Sequence, residues 1–174
     1  MNEQSQFSLG MGPEAKTSKL VSAEYILLDY VQTLVGNGSD PQRDQLMKLG
    51  RYRDWIKLEQ FRPWLVNLLA AEKVILITAR NKKYAEPTMA RIKAHGVKLV
   101  AAYFSPADME PPAAKSWLLT KEIFPKFGKA DPGRYLALES NGKTRAMYSR
   151  VGIVSMPVPY GEPTWKQMPK IPAA

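Results

Sequence analysis

Polar residues that suit phosphoryl chemistry follow three apolar runs of this 174-residue chain. The first run covers residues 25–28, is followed directly by Asp29, and has Thr33 four residues further on. A carboxylate at the carboxyl end of a buried strand can act as a nucleophile toward phosphorus. The second and third runs deliver polar residues in the same way: Thr78 and Arg80 after residues 74–77, and Glu139 and Asn141 after residues 135–138.

This set of residues predicts phosphoryl transfer through an aspartyl intermediate. We expect the Asp29 carboxylate to attack phosphorus and Thr78 to hold a phosphoryl oxygen by a hydrogen bond. Lys115, near the start of a later predicted helix, would neutralise the charge that develops. Asp29 and Glu139 would share a Mg²⁺, a hard cation that takes few carboxylates and keeps several waters. Lys121 is an alternative to Lys115, and either lysine can also be a solvated helix charge.

Three further polar residues at the same strand ends are expected to contact the substrate. They are Thr33, Arg80 and Asn141. Asn141 also offers a neutral oxygen ligand beside Glu139. Because the carboxyl ends of the strands of an open α/β sheet converge on one crevice, all of these side chains are predicted to lie in a single site.

The elements that must position these residues alternate between strand and helix. A helix is predicted before each later strand, one or two short helices are expected within residues 42–60 with a break at Gly50, and Pro63 suits the first turn of a helix. This alternation predicts an α/β fold with a doubly wound, mostly parallel, Rossmann-like sheet. The predicted strands are residues 25–28, 74–77, 97–104, 135–138 and 153–154.

The domain organisation is predicted to be one domain with two tails. Residues 1–22 are polar without periodicity, and residues 23–155 carry the strand and helix pattern. Residues 156–174 are rich in proline, which excludes a helix or an inner strand there. The two tails are candidate binding segments for a protein partner.

Composition restricts the function and the partners. The net charge of +9 favours a polyanionic partner, either nucleic acid or a phosphorylated substrate. Without cysteine the chain has no disulfide or thiolate metal site, and its single histidine argues against zinc or a Ser-His triad. No apolar run is long enough to span a membrane and no secretory signal is visible, so a cytoplasmic protein without a membrane partner is expected.

One segment admits two interpretations. Residues 51–57 interleave basic and aromatic side chains, as proteins that bind single-stranded nucleic acid do. The same residues also fit an amphipathic helix that packs Trp55 and Ile56 against the domain, and this interpretation is favoured.

The order Asp29 and Thr33, then Thr78, then Lys115, then the acidic strand end at Glu139 resembles the haloacid dehalogenase superfamily. The resemblance covers about residues 24–155 and includes Ile77-Thr78-Ala79-Arg80, which is similar to the second motif of its small phosphatases. The most specific segment is residues 138–153. It resembles the fourth-motif region of polynucleotide kinase–phosphatases and related phage proteins, where an acidic pair precedes a helix with Met-aromatic-Arg and then Gly-Ile.

This resemblance implies an open site. Residues 35–60 are too few for a large inserted cap, so a minimal cap and a macromolecular substrate such as a polymer end are expected. The resemblance also implies that the backbone carbonyl of Val31 binds the metal together with Asp29 and Glu139. A dehalogenase is disfavoured because that activity needs a large cap.

The sequence departs from the superfamily pattern at the residues that move protons and hold metal. Its phosphatases carry an acid two residues after the nucleophile, where this chain has Val31, and a glycine where it has Gln32. That acid is worth about 10²–10⁴ in rate. The fourth motif has one acid, Glu139, instead of two, which weakens Mg²⁺ binding.

Two hypotheses therefore remain open from the sequence. One is a weak Mg²⁺-dependent phosphohydrolase acting on nucleotide or polynucleotide phosphate ends, in the cytoplasm of a cell or of a phage-infected bacterium. The other is a catalytically degenerate protein of the same fold that binds nucleic acid or a protein partner, for example in a phage-associated assembly. Whether the protein is an enzyme depends on turnover without a proton-transferring side chain at Val31.

Overall fold

A five-stranded, all-parallel sheet lies at the centre of the structure, a computed structural model that describes residues 23–158. The strand order is β3-β2-β1-β4-β5, which is a doubly wound arrangement and confirms the predicted fold class. The expected tails fall mostly outside the described residues. The strands are β1 Tyr25–Leu28, β2 Val74–Asn81, β3 Ala101–Ser105, β4 Tyr135–Glu139 and β5 Val154–Pro157.

Helices connect the strands and cover both faces of the sheet. Their bounds are α1 Pro41–Lys48, α2 Tyr52–Leu58, α3 Pro63–Leu68, α4 Ala85–Ala94, α5 Pro111–Leu118, α6 Phe124–Phe127 and α7 Gly142–Arg150. A 3-10 turn, Lys82–Tyr84, precedes α4, and a π-helical turn, Leu119–Ile123, joins α5 to α6. The predicted break between α1 and α2 is present, because Gly50 takes a left-handed conformation with φ of 67°.

The three inner strands are buried on both faces because their side chains alternate between two apolar layers. Leu28, Leu76 and Leu138 pack in one layer, and their neighbours Leu27, Ile75 and Ala137 pack in the other. Strands that are covered on both faces read as continuous apolar runs, which is why the sequence shows them so clearly.

The ends of several elements differ from the predictions for local reasons. Strand β3 begins at Ala101 and not at residue 97, because the chain turns after α4 before it pairs with β2. Helix α5 begins at Pro111, four residues before its predicted start, since proline suits the first turn of a helix. Strand β5 extends to Pro157, inside the predicted tail, and this is allowed because β5 is an edge strand.

No helix within the described residues has both the length and the apolar character that crossing a membrane requires.

Candidate active site

The carboxyl ends of β1, β2 and β4 bring three predicted site residues together. Leu28 of β1 pairs with Leu76 of β2 and with Leu138 of β4. Asp29 follows Leu28, and its backbone N–H donates to the carbonyl of Leu138 at 3.1 Å. Asp29, Thr78 and Glu139 line a common cavity of about 290 Å³ at this edge of the sheet.

Lys115 joins the two carboxylates of this edge. Its Nζ donates to Asp29 Oδ1 at 2.5 Å and to Glu139 Oε2 at 2.5 Å. The Lys115 side chain comes from α5 and is only 1% exposed. Lys121, the alternative, is exposed in the π-helical turn. Of the two candidate lysines, Lys115 is therefore the one that lies with the two carboxylates at this edge of the sheet.

Thr33 fixes the other oxygen of the Asp29 carboxylate. Its Oγ1 donates to Asp29 Oδ2 at 2.7 Å and accepts from the backbone N–H of Ser140 at 3.1 Å. Thr33 is fully buried, so it ties the loop after β1 to the loop after β4. The structure thus places Thr33, a predicted substrate-binding residue, where it orients Asp29.

Thr78 lies on the other side of Asp29, at the end of the buried part of β2. Its Oγ1 accepts from the backbone N–H of Arg80 at 3.2 Å. Thr78 is buried but lines the cavity. This position suits a hydrogen bond to a group bound beside Asp29.

The electrostatics of the site follow from two buried carboxylates that share one ammonium. Burial and then the nearby charge of Asp29 raise the pKa of Glu139 to about 7, although Lys115 acts in the opposite direction. Burial alone would lower the pKa of Lys115, but the charges of Asp29 and Glu139 outweigh it and raise that pKa. The formal charge of the three groups is negative when both carboxylates are ionised, which favours an additional cation.

The loop after β1 carries two of the three departures from the superfamily pattern. Gln32 adopts a left-handed conformation with φ of 65°, which a residue with a Cβ takes at a cost of about 1 kcal/mol. Val31 is partly buried and lines the cavity beside Asp29. Its hydrocarbon side chain packs near Gly38, where an added Cβ would come within 2.8 Å of Val31 Cγ1.

Asn141 is committed to the first turn of α7. Its Oδ1 accepts from the backbone N–H groups of Lys143 at 2.9 Å and Thr144 at 3.1 Å, which makes it the N-cap of the helix. Asn141 still lines the cavity, but its side-chain oxygen has these two donors already. The backbone N–H of Asn141 donates to Glu139 Oε1 at 2.8 Å and helps to hold that carboxylate.

Arg80 belongs to a buried network beneath the cavity. Its guanidinium pairs with both carboxylate oxygens of Glu59 and donates to Thr88 Oγ1 at 2.8 Å and to the Tyr52 hydroxyl at 3.1 Å. Its terminal nitrogens are thus bonded within the protein, although Arg80 had been predicted to contact substrate. Tyr30, whose hydroxyl donates to Glu59 at 2.8 Å, stacks under the same guanidinium.

The segment between β1 and α3 forms the expected minimal cap and adds residues that the sequence did not indicate. Arg43 of α1 and Tyr52 of α2 line the cavity. Met109, which precedes α5, and Pro111, its first residue, line it as well. Helix α1 has no buried residue, so no apolar periodicity signals its orientation. In α2, Tyr52, Trp55 and Ile56 are buried, as the amphipathic interpretation of this segment predicts.

The donor set predicted for Mg²⁺ consists of two carboxylates and one carbonyl. The described residues contain no group of three or more acidic, histidine or cysteine side chains that could hold a metal ion. Mg²⁺ needs only one or two protein carboxylates and completes its octahedron with waters. Asp29 and Glu139 fit such a site, with the Val31 carbonyl as the third predicted donor. The pKa of Glu139 is raised, and a bound cation would lower it.

Comparisons with known proteins identify the fold. No protein-family model matches the sequence, and no curated protein does either. Among solved structures, a chain of the Pnkp1/Rnl/Hen1 RNA repair complex is similar with a TM-score of 0.57 and 17% identity. That match covers 81% of this chain and 44% of the other, so this protein spans less than half the length of that relative.

Two further solved structures are similar to this chain over most of their own length. The haloacid dehalogenase-like hydrolase SP0104 from Streptococcus pneumoniae has a TM-score of 0.55 and 13% identity, over 84% of this chain and 90% of its own. A candidate phosphoglycolate phosphatase from Lactobacillus plantarum has a TM-score of 0.54 and 14% identity, over 84% and 89%. Identities this low establish the fold alone. The chain has the haloacid dehalogenase fold, as the order of its site residues had indicated.

Proposed function

We propose that this protein is a Mg²⁺-dependent phosphohydrolase in which Asp29 is the nucleophile. The observation that carries the proposal is the arrangement of Lys115, whose ammonium bonds both Asp29 and Glu139. A buried lysine between two carboxylates costs desolvation free energy that its two ion pairs must offset. Perturbed, mutually coupled groups in a cavity are typical of functional sites.

The proposed reaction has two steps. A carboxylate oxygen of Asp29 attacks phosphorus, an O–P bond to Asp29 forms, and the bond from phosphorus to the leaving oxygen breaks. Water then attacks phosphorus, the bond to Asp29 breaks, and inorganic phosphate leaves. The leaving oxygen takes a proton from solvent, and the attacking water loses one to solvent. Lys115 and Thr78 would stabilise negative charge on the phosphoryl oxygens, and Thr33 holds the attacking carboxylate in place.

Mg²⁺ would be held by Asp29, Glu139 and the Val31 carbonyl, and when bound it supplies charge neutralisation at the phosphoryl group. Val31 cannot donate a proton to the leaving oxygen or accept one from water. We therefore expect slow turnover, with a rate that increases strongly as the leaving group becomes more stable as an anion.

The proposed substrates are nucleotide or polynucleotide phosphate ends in the cytoplasm of a cell or of a phage-infected bacterium. Support comes from the net charge of +9 and from the small size of the cap formed by α1 and α2. The likeness to a chain of an RNA repair complex points in the same direction, although it concerns that protein. Through its tails the protein would also contact a protein partner.

A second candidate is a catalytically degenerate binding protein. It is favoured by two observations at the site: Val31 stands in the place of the expected acid, and the Asn141 oxygen is engaged in capping α7. Such a protein would bind nucleic acid or a protein partner without using the Asp29 carboxylate. Its affinity for nucleic acid would fall steeply with salt.

Phosphate release by the purified full chain separates the two candidates. With Mg²⁺ and a 3′-phosphorylated oligonucleotide we expect slow release that Asp29→Asn abolishes. Asp131→Asn is a matched control, because Asp131 lies before β4 at the opposite end of the sheet and pairs with Arg134. Absence of release from oligonucleotide and nucleotide substrates alike would refute the enzyme, and binding that Asp29→Asn leaves unchanged would favour the second candidate.

A further inference from the structure

A second cavity, of about 550 Å³, opens directly beside the site cavity. Both cavities are lined by Arg43, Tyr52, Ala79, Arg80 and Met109, so together they form one continuous cleft. A phosphoryl group held at Asp29 would lie in the first cavity. The group attached to it would have room in the second, whose volume is typical of small-molecule sites.

The lining of the second cavity combines aromatic and thioether groups with a polar edge. Tyr84 is partly buried and packs edge-to-face against Tyr52, with ring centroids 4.7 Å apart. Met47, which is 47% exposed, and Met109 add soft apolar surface. Flat rings bind well to such surfaces, because stacking on a tyrosine is nearly independent of the identity of the ring.

The polar edge of this cavity offers both hydrogen-bond donors and acceptors. The Asn81 side chain donates to Asp108 Oδ1 at 3.0 Å and accepts from the backbone N–H of Lys83 at 3.0 Å, and the Lys83 ammonium lies 4.0 Å from the same Asp108 carboxylate. Glu110 lines the cavity as well. A ligand with a flat ring and a mixed donor and acceptor edge matches this combination, whereas a sugar or glycerol group has no flat aromatic ring to stack on the tyrosine.

Arg43 stands at the junction of the two cavities. Its Nε is buried and has no hydrogen-bond partner within the described part of the chain. Its ion pair with Asp44 is long, at 3.8 Å, and its guanidinium lies 5.9 Å from the centre of the Tyr52 ring. A guanidinium with a free buried N–H at this point is placed to bind an anionic oxygen between the two cavities.

We propose that the second cavity binds the nucleobase of the substrate, with Tyr84 as its stacking surface and Arg43 at the link to the phosphate. This inference rests on the proposed phosphohydrolase function and specifies its substrate as a nucleoside phosphate or the terminal nucleotide of a strand. The nucleobase would lie between Tyr84 and the methionines, and the carboxylates of Asp108 and Glu110 would face its polar edge.

A titration of the wild-type full chain with adenosine tests this inference without any turnover. Adenosine carries the base and lacks phosphate, and ribose serves as the ligand without a base. By NMR we expect adenosine to bind with shifts at the Met47 and Met109 methyl groups, and ribose not to bind. Tyr84→Ala should weaken adenosine binding about tenfold, whereas Tyr84→Phe should retain it, since stacking on one aromatic side chain is worth about 1–3 kcal/mol.

Tyr103→Ala is the matched control, since Tyr103 is also a partly buried tyrosine but lines a different cavity, beside Trp117. Adenosine binding that is absent, no tighter than that of ribose, or insensitive to Tyr84→Ala would overturn the inference. If only the proposed phosphohydrolase function fails, the result is different: adenosine binds but no phosphate is released.

In Mg²⁺-free buffer Arg43→Gln should weaken adenosine 3′-monophosphate binding and leave adenosine binding unchanged.

Discussion

Replacing Val31 with aspartate should make the proposed slow phosphatase faster. Val31 lines the cavity next to Asp29 and is only partly buried, so a carboxyl group there can reach solvent and the leaving oxygen. Asp29, Glu139 and Lys115 already have a net negative formal charge, which raises the pKa of an added carboxyl group. A carboxyl group with a raised pKa is better able to donate a proton at neutral pH.

The expected gain is about 10²-fold in kcat for an alkyl phosphate, at the lower end of what positioned acid–base groups supply. That gain corresponds to about 3 kcal/mol of barrier. The lower end applies because the loop holds Gln32 at a φ of 65° and packs Val31 near Gly38, so the new carboxyl group is not supported by a surrounding hydrogen-bond network. For p-nitrophenyl phosphate, whose leaving group needs little protonation, the gain in the first step should be small.

The assay compares kcat for the two substrates and follows the first turnover by rapid quench. Without an acid or base at position 31, the wild-type protein should hydrolyse its phosphorylated Asp29 slowly. It should therefore release one equivalent of p-nitrophenol in a burst, with a phosphorylated protein detectable by mass spectrometry. Val31→Asp should shorten the lifetime of that intermediate.

Val31→Asn is the matched control, since asparagine has the shape of aspartate but transfers no proton. The reasoning is wrong if Val31→Asn accelerates the reaction as much as Val31→Asp does. It is also wrong if Val31→Asp folds and binds Mg²⁺ but leaves the alkyl phosphate rate unchanged. Either result would place the limiting step elsewhere than in proton transfer.

Three predictions concern the buried charges. Lys115→Met should lower the free energy of unfolding by about 3–5 kcal/mol, because it leaves two buried carboxylates without their counter-charge, whereas Lys121→Met should change it by less than about 0.5 kcal/mol in urea denaturation. In metal-free buffer, the free energy of unfolding should fall by about 3 kcal/mol as pH rises from about 4.5 to about 7. The reason is that the folded state keeps the Glu139 proton that the unfolded state has released, so Glu139→Gln should flatten this slope. Arg80→Met should cost about 3–5 kcal/mol, and adding Glu59→Leu should recover most of it, because the unpaired buried charge is then removed.

The fold was largely predictable because its strands are buried on both faces. Residues 25–28, 74–77 and 135–138 are unbroken apolar runs, and each is followed by the polar residues that line the cavity. The parallel topology then brings the ends of these runs together, so Asp29, Thr78 and Glu139 can be grouped without any knowledge of side-chain contacts.

The parts of the site that escaped prediction depend on contacts between distant segments. Glu59 is a buried acid whose partners, Arg80 and the Tyr30 hydroxyl, come from distant segments, and no local pattern marks it. Arg43 lies on a helix without a buried residue, so its direction is set by the packing of α2 and not by its own periodicity. Asn141 was expected to contact substrate because it follows a strand, but a residue at that point is equally suited to cap the next helix.

The absence of an acid at Val31 and the presence of the second cavity both affect how the activation barrier would be lowered. With Asp29 as the proposed nucleophile and Lys115 and Thr78 beside it, the site would stabilise charge on phosphorus, but Val31 cannot assist the leaving oxygen by proton transfer. Such an enzyme must lower its activation barrier in another way. Binding of a remote part of the substrate can do so, because it holds phosphorus in line with Asp29. If the nucleobase has that role, removing it from the substrate should lower kcat as well as raise KM. Val31→Asp should reduce this dependence, because the added proton transfer replaces part of what the base contributes.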